Sequence, residues 1–237
     1  MKLTDFGSPV LRAWCQSCDE QWQAYTHHAF VQGLGDGSLP RAAFMHYLVQ
    51  DYLFLVHFAR AWALLVVKAD TVEEMRIASA TVSALVNDEM NLHVQTCAAA
   101  GISEHQLFSA VEETETIAYT RYVLDAGLSG DFLDMLACLS PCVFGYGHIG
   151  LRLVEISAKS NPYQAWIDMY AGGEYQQVCR TVAGLIESAS ARRLPAFDGG
   201  YVEAAKNSPR WSTLTRRFDT ATRLEVGFWE MGLRAGQ

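Results

Sequence analysis

Apolar residues recur every three or four positions along most of the chain, which is the spacing of amphipathic helices. Between Pro40 and Pro141 there is no proline, so no helix in this stretch is interrupted by one. The sequence shows no alternating strand pattern, no fixed-period repeat and no low-complexity linker. The pattern predicts an all-α fold, a single-domain helical bundle of about seven or eight helices that occupies residues 1–237.

Prolines and capping residues indicate where the helices begin. Serine, threonine or aspartate ahead of an apolar run can accept hydrogen bonds from free backbone amides, and proline fits the first turn. On these signals we expect starts at Ser8-Pro9, Pro40, Thr71, Ser103, Asp131, Asn161-Pro162, residue 174 and Ser208-Pro209. We also expect loops at 33–39 and 193–200, and a kink at Pro141 inside the fifth helix.

Three predicted helices have features that can be checked individually. The apolar positions of the first helix continue to Tyr25 without a break. Thr71 with Glu74 has the spacing of a capping box, and the helix that it opens should run to Gly101. Ser103 has the same relation to Gln106 and should open the fourth helix.

Two carboxylates interrupt apolar stripes on different helices. Asp51 lies in the middle of a stripe that runs from Phe44 to Leu65, and Glu225 lies in the middle of the stripe on the last helix. A buried unpaired charge costs several kcal/mol, so each group needs a partner, a proton or a ligand. Asp51 could be a structural ion pair or a ligand-binding group; the aromatic residue Phe54 on the same face favours the latter.

A third carboxylate, Glu89, lies on the stripe of the third helix, four residues before His93. Side chains four residues apart on a helix are neighbours. This spacing favours a structural pair of Glu89 with His93, and whether Glu89 also touches the pocket stays open.

One cysteine follows the internal proline of the fifth helix. Cys142 and Tyr146 lie one turn apart on its apolar face, directly after Pro141, where a missing backbone donor allows the helix to open towards a cavity. Taken alone, Cys142 is typical of a packed core thiol. Together with buried carboxylates on other helices it becomes a candidate nucleophile.

Charge and composition exclude several classes of partner. The chain has 18 basic and 26 acidic residues, a net charge of −8, whereas a protein that neutralises many phosphates is usually basic. We therefore expect neither nucleic acid nor a membrane as a partner. The N-terminus has no apolar signal core, which favours a cytoplasmic protein with reduced thiols at all six cysteines.

The motifs of metal and cofactor sites are missing from the sequence. Cys15 and Cys18 have the spacing of a zinc-binding pair, but no second pair accompanies them. A di-iron bundle needs two Glu-x-x-His motifs, and none is present; His27 and His28 are weak candidates for a haem ligand. No phosphate-binding glycine loop occurs either. We expect no metal and no cofactor.

Several segments together resemble the TenA, or thiaminase II, family along nearly the whole chain. They are HHAFVQGLGDGSLP, FMHYLVQDYLFLVHFAR, NDEMNLH, LSPCVFGYGHIG, YQAWIDMYAGGEY and EVGFWEM. The resemblance implies a haem-oxygenase-like fold without haem and a homotetramer. It also implies an enzyme of thiamin salvage that hydrolyses 4-amino-5-aminomethyl-2-methylpyrimidine to the hydroxymethyl pyrimidine and ammonia. Thiamin is a second substrate of the family.

The resemblance also implies roles for individual residues. Asp51 would bind the exocyclic amine and the adjacent ring nitrogen, and Cys142 would add to the ring. Tyr146 would hydrogen-bond the thiol, and Glu225 would be the acid and base at the opposite ring nitrogen. The remaining substrate-binding residues would be Phe54, Tyr119, Tyr170 and Phe228.

Two departures from the family leave alternatives open. Phe54 stands where some members have tyrosine, which removes a hydroxyl and leaves the balance between the two substrates undecided. Residues 188–210 form a longer connection than is typical.

A non-catalytic pyrimidine-binding or regulatory protein on the same fold is the main alternative to an enzyme, and a cofactor-dependent oxidase is a weaker one.

Overall fold

A computed structural model describes residues 3–194 and 201–236 of the chain, and every described element is helical. The helices are α1 Pro9–Ser17, α2 Asp19–Thr26, α3 Ala29–Asp36, α4 Arg41–Val67, α5 Val72–Ala84, α6 Met90–Ala99, α7 Glu104–Phe108, α8 Thr114–Ser129, α9 Phe132–Ile156, α10 Gln164–Ala171, α11 Gly173–Arg193, α12 Tyr201–Ala205 and α13 Pro209–Arg234. A π-helical segment, Leu85–Glu89, joins α5 to α6. The predicted all-α class is confirmed.

The capping residues act as expected at four helix starts. Ser8 accepts a hydrogen bond from the Leu11 amide at 3.0 Å, and Ser208 accepts one from the Trp211 amide at 3.1 Å. Ser103 forms a complete capping box with Gln106. Asp131 caps α9 through a second box, with Asp134 in the third position. Each cap satisfies amides that the helix itself leaves unpaired.

Three predicted boundaries are wrong. The first helix breaks at Cys18, whose backbone leaves the helical region, so α1 and α2 are separate. Most of the predicted loop 33–39 is the end of α3, which stops at Gly37 in a left-handed conformation that favours glycine. The fourth predicted helix is two helices, α7 and α8. The predicted loop 193–200 lies almost entirely outside the described residues.

The third predicted helix also differs in two details. The helical path does continue from Val72 to Ala99, but it passes through the π segment. At its start, Thr71 accepts from the Glu74 amide as expected, whereas the Glu74 carboxylate accepts from the Asp70 amide instead of returning to Thr71. Burial raises the pKa of Glu74, but bonds from Arg193 and other donors outweigh it and lower that pKa to about 2.

Helix α9 is the centre of the bundle. It packs against α13, α10, α11 and α8, and every side chain from Phe132 to Gly150 is buried. Helices α4 and α9 are long and apolar enough to cross a membrane by length and composition alone. The apolar part of α9 is wholly buried within the protein, as in the core helix of a globular fold.

Glycines on α9 allow neighbouring helices to approach closely, and we expect Gly150→Ala to destabilise the fold. A Cβ atom at Gly150 would lie 2.5 Å from the backbone carbonyl carbon of Tyr170 on α10. Because backbone cannot rotate away, the free energy of unfolding should fall by about 1–3 kcal/mol, as in other overpacked cores. Urea denaturation measures this.

Gly184→Ala is the matched control. Gly184 lies in the interior of α11, exposed, and a Cβ atom there meets nothing within 4 Å. Alanine should therefore raise the free energy of unfolding by about 0.5–1 kcal/mol through helix propensity alone. Equal stability of the two variants would show that α9 and α10 are not in close contact at Gly150.

Candidate active site

A cavity of about 620 Å³ opens between two groups of helices. One side of it is formed by α5, the π segment and α6; the other is formed by α9, α10 and α11, and α4 closes it from beneath. Most of its wall is apolar, but chemically functional side chains also reach it, among them Asp51, Glu89, Cys142 and Tyr146. This volume is typical of a pocket for a small organic molecule.

The Cys142 thiol is the nucleophile candidate on this wall. Burial raises its pKa well above the ordinary value, and the nearby carboxylates Glu225, Glu89 and Asp51 raise it further. Cys142 is therefore a thiol at rest. It can act as a nucleophile only if its proton moves to a base or if a ligand changes the local charge.

Asp51 has both a buried partner and access to the cavity. One of its oxygens, Oδ2, accepts hydrogen bonds from Tyr47 Oη at 3.0 Å and from His93 Nε2 at 2.7 Å. The other nitrogen of His93, Nδ1, donates to the Glu89 backbone carbonyl at 3.0 Å. Since both ring nitrogens face acceptors, His93 is an imidazolium that balances the Asp51 carboxylate. Asp51 can therefore belong to a structural ion pair and also bind a ligand in the cavity.

The pKa of His93 agrees with this buried ion pair. Burial acts to lower the pKa of His93, but the bond to Asp51 and the charges of Asp51 and Glu89 outweigh it and raise that pKa. Removal of either Asp51 or His93 would strongly destabilise the folded protein, because the charge of the remaining residue would be buried without a partner.

The expectation that Glu89 and His93 pair through their side chains is wrong. The Glu89 carboxylate instead accepts a hydrogen bond from Tyr170 Oη at 3.1 Å. The physical reason is that each side chain has a partner on another helix, Tyr170 on α10 for Glu89 and Asp51 on α4 for His93. Burial raises the pKa of Glu89 to about 7, opposed by His93.

Glu225 is buried beside the cavity without forming its wall. Tyr119 Oη donates a hydrogen bond to its Oε1 at 2.9 Å. Burial raises the pKa of Glu225 to about 8, although the Tyr119 bond lowers it. At neutral pH this group is mostly a carboxylic acid and can donate a proton.

Tyrosine rings cover one side of the cavity. The rings of Tyr146 and Tyr170 lie 4.9 Å apart between centroids, and Tyr175 meets Tyr170 edge to face at 4.8 Å. The Tyr146 hydroxyl oxygen lies 3.5 Å from that of Tyr47, which donates its own proton to Asp51. Its bond to the Cys142 thiol, which the family resemblance implies, stays a prediction.

The other aromatic residues implied by the resemblance lie together behind the wall. Phe54 is 4.8 Å from Tyr119 and 5.8 Å from Phe228 between ring centroids. These three rings surround the side of the site that holds Glu225. The structure thus brings Asp51, Cys142, Tyr146 and Tyr170 to the cavity and places Glu225, Tyr119, Phe54 and Phe228 in the layer next to it.

Sequence reasoning missed three contributors. Helical spacing favours a pair of Glu89 with His93 and leaves a place of Glu89 at the pocket open; their actual partners, Tyr170 and Asp51, lie on other helices, and no local sequence pattern indicates them. Tyr175, whose hydroxyl donates to the Val143 carbonyl at 3.2 Å, lies on the wall just after Gly172-Gly173. Nothing in the spacing around it distinguishes it from a helix-packing residue.

Within residues 3–194 and 201–236, no group of three or more His, Cys, Asp or Glu side chains is arranged to hold a metal ion. The six cysteines are free thiols, and all are buried. Cys15 and Cys18 pack in the core and do not line the cavity.

Comparison with known proteins gives consistent results. The model of the TENA/THI-4/PQQC family matches residues 15–235. A protein of Halalkalibacterium halodurans named aminopyrimidine aminohydrolase is 34% identical over 212 residues, which cover 89% of this chain and 89% of that protein.

Solved structures also match the chain over nearly its whole length. A TenA family structure from Silicibacter sp. TM1040, described as a transcription regulator, is 53% identical with a TM-score of 0.90, covering 95% of this chain and 97% of that one. A domain from Shewanella denitrificans OS217, described as having a heme oxygenase-like fold, has a TM-score of 0.69 at 13% identity, with 98% and 94% covered. The predicted haem-oxygenase-like fold is confirmed.

Proposed function

The chain belongs to the TENA/THI-4/PQQC family, and from this premise we propose that it is an enzyme of thiamin salvage. It hydrolyses a C–N bond of 4-amino-5-aminomethyl-2-methylpyrimidine, which yields the hydroxymethyl pyrimidine and ammonia. One observation carries the proposal: the Cys142 thiol faces a cavity whose wall also holds the Asp51 carboxylate and the Tyr146 ring. The name of the relative from Halalkalibacterium halodurans supports the same reaction.

The cavity suits a flat, amine-bearing heteroaromatic ring. Asp51 is an ionised acceptor held in place by Tyr47 and His93, so it can accept from the exocyclic amine of the pyrimidine. The rings of Tyr146 and Tyr170 supply an aromatic surface beside it. Binding through a fixed acceptor and a ring face orients the pyrimidine relative to Cys142.

The reaction then requires a proton on a ring nitrogen and addition of the Cys142 thiolate to the neighbouring ring carbon. Glu225, protonated at neutral pH, donates to the ring nitrogen next to the carbon that Cys142 attacks. The Cys142 proton passes to a neighbouring carboxylate as Sγ adds to this carbon, and the electrons of the adduct expel the leaving group from the 5-methylene and form an exocyclic alkene. Water adds to the alkene, the electrons return to the ring, the ring nitrogen returns its proton to Glu225, and the Cys142 thiolate departs and regains its proton.

Ammonia release from the aminomethyl pyrimidine tests this proposal directly. We expect multiple turnovers by the purified chain after treatment with a chelator and in the absence of oxygen. Thiamin hydrolysis is measured in parallel, because Phe54 leaves the preference between the substrates undecided. If neither compound is hydrolysed while the hydroxymethyl pyrimidine still binds, the reaction is wrong and the site is a binding site.

A regulatory role is the second candidate, since the 53% identical Silicibacter protein is described as a transcription regulator. A net charge of −8 makes direct DNA binding by this chain unfavourable. The thiol on the cavity wall is also unnecessary for a protein that only binds a pyrimidine. Turnover in the ammonia assay separates the two candidates, because a regulator binds without hydrolysing.

We further propose, from the family resemblance, that the protein is a cytoplasmic homotetramer. Sedimentation velocity at micromolar protein concentration checks the assembly. A single species at the mass of one chain would contradict it.

A further inference from the structure

Three carboxylates on the cavity wall have no task in the proposed reaction; Asp88 and Glu174 are exposed, whereas Glu89 is half-buried. It ends the π segment, on the side where the cavity reaches exposed residues such as Arg76, Asp88 and Leu92. Glu225 is fully buried and does not line this opening. The 5-methylene is carried by the ring carbon between the one that Cys142 attacks and the one that bears the exocyclic amine, so a ring held by Glu225 and Asp51 can point the leaving group towards the part of the wall that Glu89 occupies.

We infer that Glu89 is a catalytic acid that donates a proton to the nitrogen leaving the 5-methylene of the pyrimidine. This inference rests on the proposed function and deepens it. A neutral amine nitrogen is a poor leaving group unless it is protonated as the bond breaks, so a positioned acid at this point would accelerate the reaction of substrate bound as the neutral amine.

The proton and electron count of the step is balanced. As the C–N bond breaks, its electron pair stays on nitrogen, which takes the proton from the Glu89 carboxyl group and leaves as ammonia. The methylene carbon becomes part of the exocyclic alkene, whose electrons come from the ring adduct with Cys142. When water later adds to that carbon, its proton returns to the Glu89 carboxylate, and the acid is restored.

The surroundings of Glu89 suit this role. The Tyr170 hydroxyl, from α10, donates to Oε1 and so sets the direction of the other carboxyl oxygen. The charged and titratable groups that act on it are His93 from α6, which favours the carboxylate, and Asp51 from α4, which favours the acid. Cys142 lies across the cavity on α9. The resulting pKa of about 7 leaves both forms populated at neutral pH, as a group that gives and regains a proton requires.

The test is a comparison of two leaving groups in wild type and Glu89→Gln. The aminomethyl pyrimidine loses a nitrogen that needs a proton. Thiamin, or its analogue with a pyridinium in place of the thiazolium, loses a cationic nitrogen that departs neutral without one. Glu89→Gln should lower kcat on the aminomethyl pyrimidine by about 10²–10⁴. The fall on the thiazolium or pyridinium substrate should be at least about tenfold smaller.

Two controls keep the result interpretable. Asp168→Asn removes an exposed carboxylate on the helix that also carries Tyr170, and both rates should remain at the wild-type level. Binding of the hydroxymethyl pyrimidine to Glu89→Gln, measured by calorimetry, should be retained, which shows that the site is intact.

The possible failures are distinct. If wild type hydrolyses none of the compounds, the proposed function is wrong and Glu89 has no acid role. If wild type is active and Glu89→Gln slows all leaving groups equally, or none, the inference about Glu89 is overturned while the proposed function stands.

Discussion

Replacing Cys142 by serine should lower kcat on the aminomethyl pyrimidine by on the order of 10³ or more, as loss of a covalent nucleophile does in other enzymes. A serine hydroxyl is a far weaker nucleophile, and its pKa is too high for the neighbouring carboxylates to remove its proton. The oxygen is smaller than sulfur but similar in shape, so the hydroxymethyl pyrimidine should bind with little change in Kd. Steady-state kinetics and calorimetry measure the two effects separately.

Cys138→Ser is the control for this variant. Cys138 lies one turn earlier on α9, is fully buried and does not reach the cavity wall. Burial raises its pKa to about 12, so it is an inert thiol. We expect wild-type kcat and some loss of stability from the buried hydroxyl. A Cys142→Ser enzyme as active as Cys138→Ser would rule out covalent addition by Cys142.

Residues of the candidate site could be predicted from the sequence where a single charged side chain interrupts the apolar stripe of its helix. Asp51 and Glu225 stand out because each puts a charge in the middle of an apolar stripe, and both are buried. Cys142 and Tyr146 required more: their stripe is ordinary, and the family resemblance gave them roles. The structure agrees with the placement of Asp51, Cys142 and Tyr146 on one cavity, while their roles stay predictions.

The parts that could not be predicted depend on contacts between helices and on breaks in a regular α-helix. Glu89 and His93 are four residues apart, and helical spacing alone places their side chains next to each other. Partners on other helices, Tyr170 for Glu89 and Asp51 for His93, draw them apart. The break at Cys18 is similar, because the apolar spacing on either side of it fits one continuous helix equally well.

Glu225→Gln should have opposite effects on activity and on stability. The glutamine side chain cannot protonate the ring, so turnover should fall by about 10²–10⁴. With thiamin, whose leaving group departs without a proton, the wild-type rate should decline as pH rises through about 8, where Glu225 loses its proton. This decline should be missing from the residual rate of the variant. If the decline persists unchanged in Glu225→Gln, another group is responsible for it.

The stability effect follows from the same pKa. Burial raises the pKa of Glu225 from 4.5 to about 8, so the folded state holds this proton more tightly than the unfolded chain does. The stabilisation is fully present below pH 4.5 and is lost as pH rises through about 8. Glutamine does not titrate. The Tm of Glu225→Gln relative to wild type should therefore increase between pH 5 and 9 in thermal unfolding followed by circular dichroism. A Tm difference that is constant with pH would mean that Glu225 is not a buried acid, and the proton donor at the ring would have to be sought elsewhere.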